Sequence, residues 1–118
     1  MKVKDNTIQD KSLSFAVRIV KLCRYIREEK CEYELASQLL RSGTSIGANI
    51  SESKNAQSRN DFVNKLNIAL KESDETSYWL TLLHKSEILS KQQFESIHND
   101  CSEIIRLLTS IIRTTKES

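Results

Sequence analysis

The sequence predicts an all-α protein, an antiparallel up-down-up-down four-helix bundle, and three observations lead there. The 118-residue chain has no proline and two glycines, whereas a β-rich fold of this length needs several tight turns that draw on Gly, Pro and Asn-Gly pairs. Apolar residues recur at intervals of three and four, the period of one helix face, along most of the chain. The breaks in that pattern are a few residues long, and short connections make successive helices antiparallel neighbours.

The first helix is expected over residues 10–29. Ile8, Phe15, Ile19, Cys23 and Ile26 mark its apolar face, with Ala16 and Leu22 beside them. Asp10 is a candidate N-cap, and the charged run Arg27 to Lys30 reads as a frayed end. The second helix is expected over 34–54, with a stripe of Leu35, Leu39, Ser42, Ile46 and Ile50 flanked by Ala36, Leu40, Gly43 and Gly47. The third, over 59–87, opens on Ser58 followed three residues later by Asp61, a pattern resembling a capping box. Phe62, Leu66, Ala69, Ser73, Leu80 and Leu83 continue it. The fourth, over 91–115, opens on Ser90 and Gln93, a capping box of the S-x-x-Q kind, and carries Phe94, Ile97, Cys101, Ile104, Leu108 and Ile111. No linker, low-complexity tract or change of composition interrupts the chain, so residues 1–118 read as one domain.

The second helix is unusual. Ser37, Ser42, Gly43, Thr44, Ser45, Gly47, Ala48, Asn49, Ser51 and Ser53 make it rich in small residues and poor in helix formers. At about 100° per residue, Gly43 and Gly47 flank the apolar stripe, while Arg41, Ser45, Ala48 and Glu52 cluster on roughly the opposite side. An interior glycine costs a helix about 1 kcal/mol relative to alanine, so two of them call for the close approach of another backbone. Two readings stand. This is the most buried helix of the bundle, or its second face packs on another subunit with Arg41 and Glu52 supplying polar contacts.

Several chemistries are excluded or unsupported. Gly-rich phosphate loops and dinucleotide fingerprints need more glycine than Gly43 and Gly47 provide. Cys23, Cys31 and Cys101 lack the paired spacing of a structural zinc site or redox motif, and Cys23 and Cys101 read as small buried hydrophobes. His98 and Cys101, three apart, are the nearest approach to a ligand pair, but two ligands do not close a site. His84 reads as a helix-end surface residue. A di-metal bundle needs Glu-x-x-His motifs on two helices, a pair this chain lacks. Arg41 is the natural partner for a carboxylate from Glu52, Glu72 or Glu75. No catalytic residue, metal or cofactor is expected. No segment is apolar enough to span a membrane and no signal-peptide pattern opens the chain, which predicts a soluble, cytoplasmic protein.

The run Gln38-Leu-Leu-Arg41-Ser42-Gly-Thr-Ser45-Ile46-Gly-Ala-Asn49-Ile50-Ser-Glu52 is followed by Asp61-Phe62, Lys65-Leu66, Ile68-Ala69, Glu72, Glu75-Thr76 and Tyr78-Trp79-Leu80. Together they resemble the bacterial four-helix-bundle proteins, also called the 23S ribosomal RNA intervening-sequence proteins. The resemblance runs from about Lys11 to the end of the fourth helix. Such proteins resemble the accessory protein of diversity-generating retroelements, a barrel-like homopentamer with a basic surface that binds nucleic acid and a reverse transcriptase. The resemblance therefore implies a four-helix subunit, a ring of about five copies and no known enzymatic activity. Arg41, Gly43, Ser45, Gly47, Ala48, Asn49, Glu52, Glu72 and Glu75 are the candidate interface or structural residues. Where many relatives carry Gly after the matching glutamate, this chain has Ser53, which allows the second helix to run on.

Charge modifies that picture. The chain has a net charge of +2 and a sequence pI of about 8.4, below the pI above about 9 usual for a dedicated nucleic-acid binder. Residues 1–30 hold eight Lys/Arg and four Asp/Glu, a local +4, whereas residues 61–90 hold three and five, a local −2. Candidate nucleic-acid contacts are accordingly Lys2, Lys4, Lys11, Arg18, Lys21 and Arg24, an excess that an oligomer would repeat. The competing readings are a plain solvated face, with function in a protein-interaction surface at Tyr78 and Trp79, or a small metalloenzyme.

Overall fold

The computed structural model describes the backbone of residues 2–117 and the side chains of residues 7–117. It is a four-helix all-α structure with no strand among the described residues. The helices are α1 (Lys2–Lys30), α2 (Tyr33–Ser53), α3 (Arg59–Lys85) and α4 (Lys91–Glu117). The molecule is 46 Å long and 21 by 20 Å across, the length expected of helices near 27 residues at about 1.5 Å per residue. Each helix packs on its chain neighbour, and α1 meets α4 to close the bundle. Contacts pair rising with falling residue numbers: Ser42 with Thr76 and Glu52 with Lys65 across α2 and α3, Cys101 with Ser73 and His98 with Ser77 across α3 and α4.

The core follows the apolar stripes. Ile8, Phe15, Ile19, Cys23, Ile26, Leu39, Ile46, Ile50, Leu66, Ala69, Leu80, Leu83, Ile97, Cys101, Ile104 and Leu108 are buried in one cluster. Fully burying side chains of this size contributes roughly 1.5 to 3 kcal/mol each before entropy is counted. Leu35, Phe62, Phe94 and Ile111, expected in the stripes, are only partly buried at its margin, while Val63, Leu89 and Ile112 complete the interior. Among the described residues no buried side-chain nitrogen or oxygen lacks a hydrogen-bond partner. The Ser42 and Thr76 hydroxyls are hydrogen-bonded at 2.9 Å, and the Ser73 hydroxyl donates to the Ala69 carbonyl at 2.9 Å.

Helix ends show which local signals govern. Ser58 Oγ accepts from the Asp61 N–H at 3.0 Å and the Asp61 carboxylate accepts from the Gln57 N–H at 3.2 Å. Ser90 and Gln93 form the full reciprocal box, at 3.1 and 2.9 Å. Asp10, by contrast, is not a cap, because α1 begins eight residues earlier and Asp10 stands exposed within it. The polar residues before it simply continue the helix. α2 does not run on past Ser53. Lys54, Asn55 and Ala56 bond successive carbonyls three residues back, tightening the last turn. α3 stops at Lys85 because Glu87 turns to φ 66°, its N–H reaching the His84 carbonyl and the Ile88 N–H the Leu83 carbonyl, a Schellman ending. Cys31 takes the same left-handed conformation, φ 55°, after α1.

Candidate functional site

The outer seam of α2 and α3 gathers six of the nine expected positions. Residues three and four apart on a helix share a face, so Arg41, Ser45, Asn49 and Glu52 run along one flank of α2 opposite Lys65, Glu72, Glu75 and Trp79. The Ser45 hydroxyl donates to the Arg41 carbonyl at 2.6 Å, and Asn49 Nδ2 donates to the Ser45 carbonyl at 2.8 Å. Both side chains thus serve their own helix backbone. The Arg41 guanidinium donates to Glu72 Oε1 at 3.3 Å and to Glu75 Oε2, which also accepts from the Trp79 indole N–H at 3.1 Å. That indole bond and the adjacent guanidinium hold the Glu75 carboxyl below its usual range. The same bond to Glu75 raises Arg41. Glu52 accepts from Lys65 Nζ at 2.8 Å and raises it. Arg41 and Glu52 therefore find their partners inside the chain, on α3. Arg41 is half exposed, and such surface pairs contribute roughly 0 to 1 kcal/mol each.

The remaining three positions divide. Gly43 and Gly47 lie on the other flank of α2, against α1. A Cβ at 43 would come within 2.8 Å of Ile19 Cγ2, and one at 47 within 3.4 Å of the Ser12 carbonyl oxygen. The close approach that the glycines require is made within the chain, by α1. Ala48 points outward.

Of the candidate basic residues, Lys2 and Lys4 lie outside those whose side chains are described. Lys11 pairs with Glu103 at 3.1 Å, and Arg18 with Asp100 at 2.5 Å while also donating to Ser96 Oγ at 2.9 Å. Both cations thus fasten α1 to α4. Lys21 and Arg24 are exposed and form no ion pair among the described residues.

A feature that sequence reasoning passed over lies beside them. Leu13, Val17 and Val20 are 66%, 46% and 38% exposed and, spaced four and three apart, form a second apolar stripe on α1. Its 3/4 spacing was present in the sequence, overshadowed by the stronger stripe of Phe15, Ile19 and Cys23. Leu13, at one end of the stripe, also lines a groove of about 460 Å³ between α1 and α2, together with Ala16, Thr44, Gly47 and Ala48.

The histidines and cysteines do not converge. His98 Nε2 is 2.9 Å from Ser77 Oγ, whereas the Cys101 thiol donates to the Ser73 carbonyl at 3.4 Å. Glu95, the one glutamate three residues before a histidine, is exposed. His84 is a partly buried residue rather than a surface one. It stacks on Phe94 at 4.7 Å and donates from Nδ1 to the Leu89 carbonyl at 3.2 Å, and Phe94 stacks in turn on His98 at 4.7 Å. Burial pushes the Cys23 thiol up to about 11 and the Cys101 thiol up to about 12, which makes both poor nucleophiles. Among the described residues no group of three or more His, Cys, Asp or Glu could hold a metal, and no helix is long and apolar enough to cross a membrane.

Comparison with known proteins agrees with this geometry. A family model described as 23S rRNA-intervening sequence protein matches residues 4–110. Among solved structures, a protein of unknown function from the S23 ribosomal protein family of Bacteroides thetaiotaomicron VPI-5482 is 59% identical. The match covers 93% of this chain and 98% of that one, with a TM-score of 0.92. Comparison with curated proteins finds no match.

Proposed function

The chain belongs to the 23S rRNA-intervening sequence protein family, and from that premise we propose that it is a non-catalytic accessory protein that works as a homo-oligomer and holds nucleic acid by its phosphate backbone. The unit of assembly is an up-down-up-down bundle, and the resemblance seen in the sequence favours five copies in a ring. One observation carries the reading. α1 turns an uncovered apolar stripe, Leu13, Val17 and Val20, to solvent beside the exposed cations Lys21 and Arg24. Scattered exposed apolar side chains are ordinary, but a contiguous patch bordered by polar residues marks an interaction surface. Cations repeated by each copy around an assembly would supply the electrostatic footprint that a single +2 chain lacks.

Phosphate contacts release counterions, so log affinity should fall linearly with log salt and be tolerant of sequence. Fluorescence anisotropy with single-stranded and duplex RNA over a salt series tests this. Lys21→Glu should flatten the slope by somewhat under one unit for each phosphate that position 21 no longer neutralises. No binding by the assembled wild-type protein near about 50 mM salt would overturn it. A second reading, a protein-interaction scaffold, rests on Tyr78, which is 60% exposed and edge-on to Trp79 at 5.2 Å, since such aromatic residues anchor interfaces. Under the first reading Tyr78→Ala leaves RNA affinity and mass unchanged.

A further inference from the structure

We infer that the groove between α1 and the first turns of α4 receives an unpaired base of a single strand, stacked on Tyr25 with its phosphate on Lys21. The inference rests on the nucleic-acid reading above and names the part of the strand that is held. Arg18, Lys21, Leu22 and Tyr25, at helical spacing, share the flank of α1 that faces α4, turned away from the Leu13, Val17 and Val20 stripe. An assembly that covers the stripe therefore leaves this groove free. Its volume is about 520 Å³, within the roughly 300 to 1,000 Å³ of small-molecule sites. Arg18 is spent on the frame, since it pairs with Asp100 and donates to Ser96 Oγ and so ties the two walls together. Lys21 is exposed and forms no ion pair among the described residues, and none of the residues lining the groove carries a carboxylate. Arg24, exposed beside Lys21, stays with the phosphate backbone.

Tyr25 is partly buried against the core and makes no hydrogen bond or ring contact among the described residues. Every base has a π-face, so stacking on an aromatic ring holds a single strand with little regard to sequence. Lys21 and Tyr25 are one helical turn apart, with Cβ atoms about 5 to 6 Å from each other, which sets a cation beside a ring as phosphate is set beside base in one nucleotide. Gln92 is exposed at the groove's edge, and Gln93 gives its Oε1 to the Ser90 N–H at 2.9 Å while keeping its amide NH2 free of that bond. A glutamine amide offers both a donor and acceptors, which suits the edge that an unpaired base leaves open. In a duplex that edge is paired and the faces are stacked on their neighbours, so only the phosphates remain for Lys21 and Arg24.

Two arms test it. Irradiating the wild-type protein with a single-stranded RNA that carries 5-bromouridine should crosslink the strand to Tyr25, located by mass spectrometry of the digested protein. In anisotropy titrations, Tyr25→Leu keeps apolar bulk without a π-face, so its affinity for the single strand should fall at least about fivefold, while its affinity for the duplex and its salt slope match wild type. Tyr25→Phe, which keeps the ring, should bind like wild type. Circular dichroism and thermal melting show that both variants are folded. A strand that crosslinks elsewhere and binds Tyr25→Leu as tightly as wild type, or an equal loss of single strand and duplex in that variant, overturns the groove and leaves phosphate binding standing. A wild-type protein that binds neither form overturns both.

Discussion

A β-carbon at position 43 would lie 2.8 Å from Cγ2 and 2.9 Å from Cγ1 of Ile19, so α1 rests on α2 at the point where Gly43 has no side chain. Both contacts are with the branched carbons of a fully buried isoleucine, whose χ1 is stiff and whose surroundings are packed.

The two glycines of α2 should therefore behave differently. Gly43→Ala should destabilise the protein by about 1 to 3 kcal/mol, the usual range for overpacking. Gly47→Ala meets Ser12 at 3.4 Å, ordinary contact distance, and should be neutral or more stable by up to about 1 kcal/mol through helix propensity. Thermal unfolding of the two variants checks this, and equal losses would contradict it.

The left-handed positions reverse the sign. Glu87 at φ 66° and Cys31 at φ 55° carry a steric cost of roughly 1 to 2 kcal/mol that glycine would remove, offset by glycine's freer unfolded chain. Glu87→Gly and Cys31→Gly should each raise the urea midpoint, by about 0.5 to 1 kcal/mol in stability, with the slope unchanged.

Much of this architecture was legible in the sequence because its signals are local. The stripes of Phe15-Ile19-Cys23 and Ile97-Cys101-Ile104, and both capping boxes, need only residues three and four apart. The polar seam was legible in part, since Arg41 does pair with Glu72 and Glu75, but Glu52 goes instead to Lys65 on the facing helix. The start of α1 is hidden because Asp10 has cap chemistry and nothing local says that a helix already runs through it. Glu87 marks where α3 ends through a backbone angle that glutamate does not advertise. Which face of α2 the glycines serve is a tertiary fact, decided by Ile19 and Ser12.

Thiol reactivity should separate the cysteines. Cys23 and Cys101 are buried, whereas Cys31 is exposed, so a thiol reagent at about pH 8 should modify Cys31 alone in the native protein and all three on unfolding. Rapid native reaction at Cys23 or Cys101 would contradict their burial.

The Glu75 cluster predicts a small pH dependence. Its folded pKa lies below the ordinary carboxylate value because the charged form is bonded by Trp79 and Arg41. The stability this adds is present above the unfolded pKa and lost as pH falls through the folded one. Glu75→Gln should cost no more than about 1 kcal/mol near neutral pH, the range of exposed pairs, and the gap to wild type should close under acid conditions. A gap that widened with acid would contradict the assignment.

Another copy of this 13.6 kDa chain is expected to cover the Leu13, Val17 and Val20 stripe. Light scattering after size exclusion, at micromolar concentration, tests it most directly by comparing wild type with Val17→Glu. The wild-type mass should be at least twice that of the single chain and the variant's mass lower, with an unchanged circular dichroism spectrum showing that the variant is folded. A wild-type monomer, or an assembly whose mass Val17→Glu leaves unchanged, would contradict it.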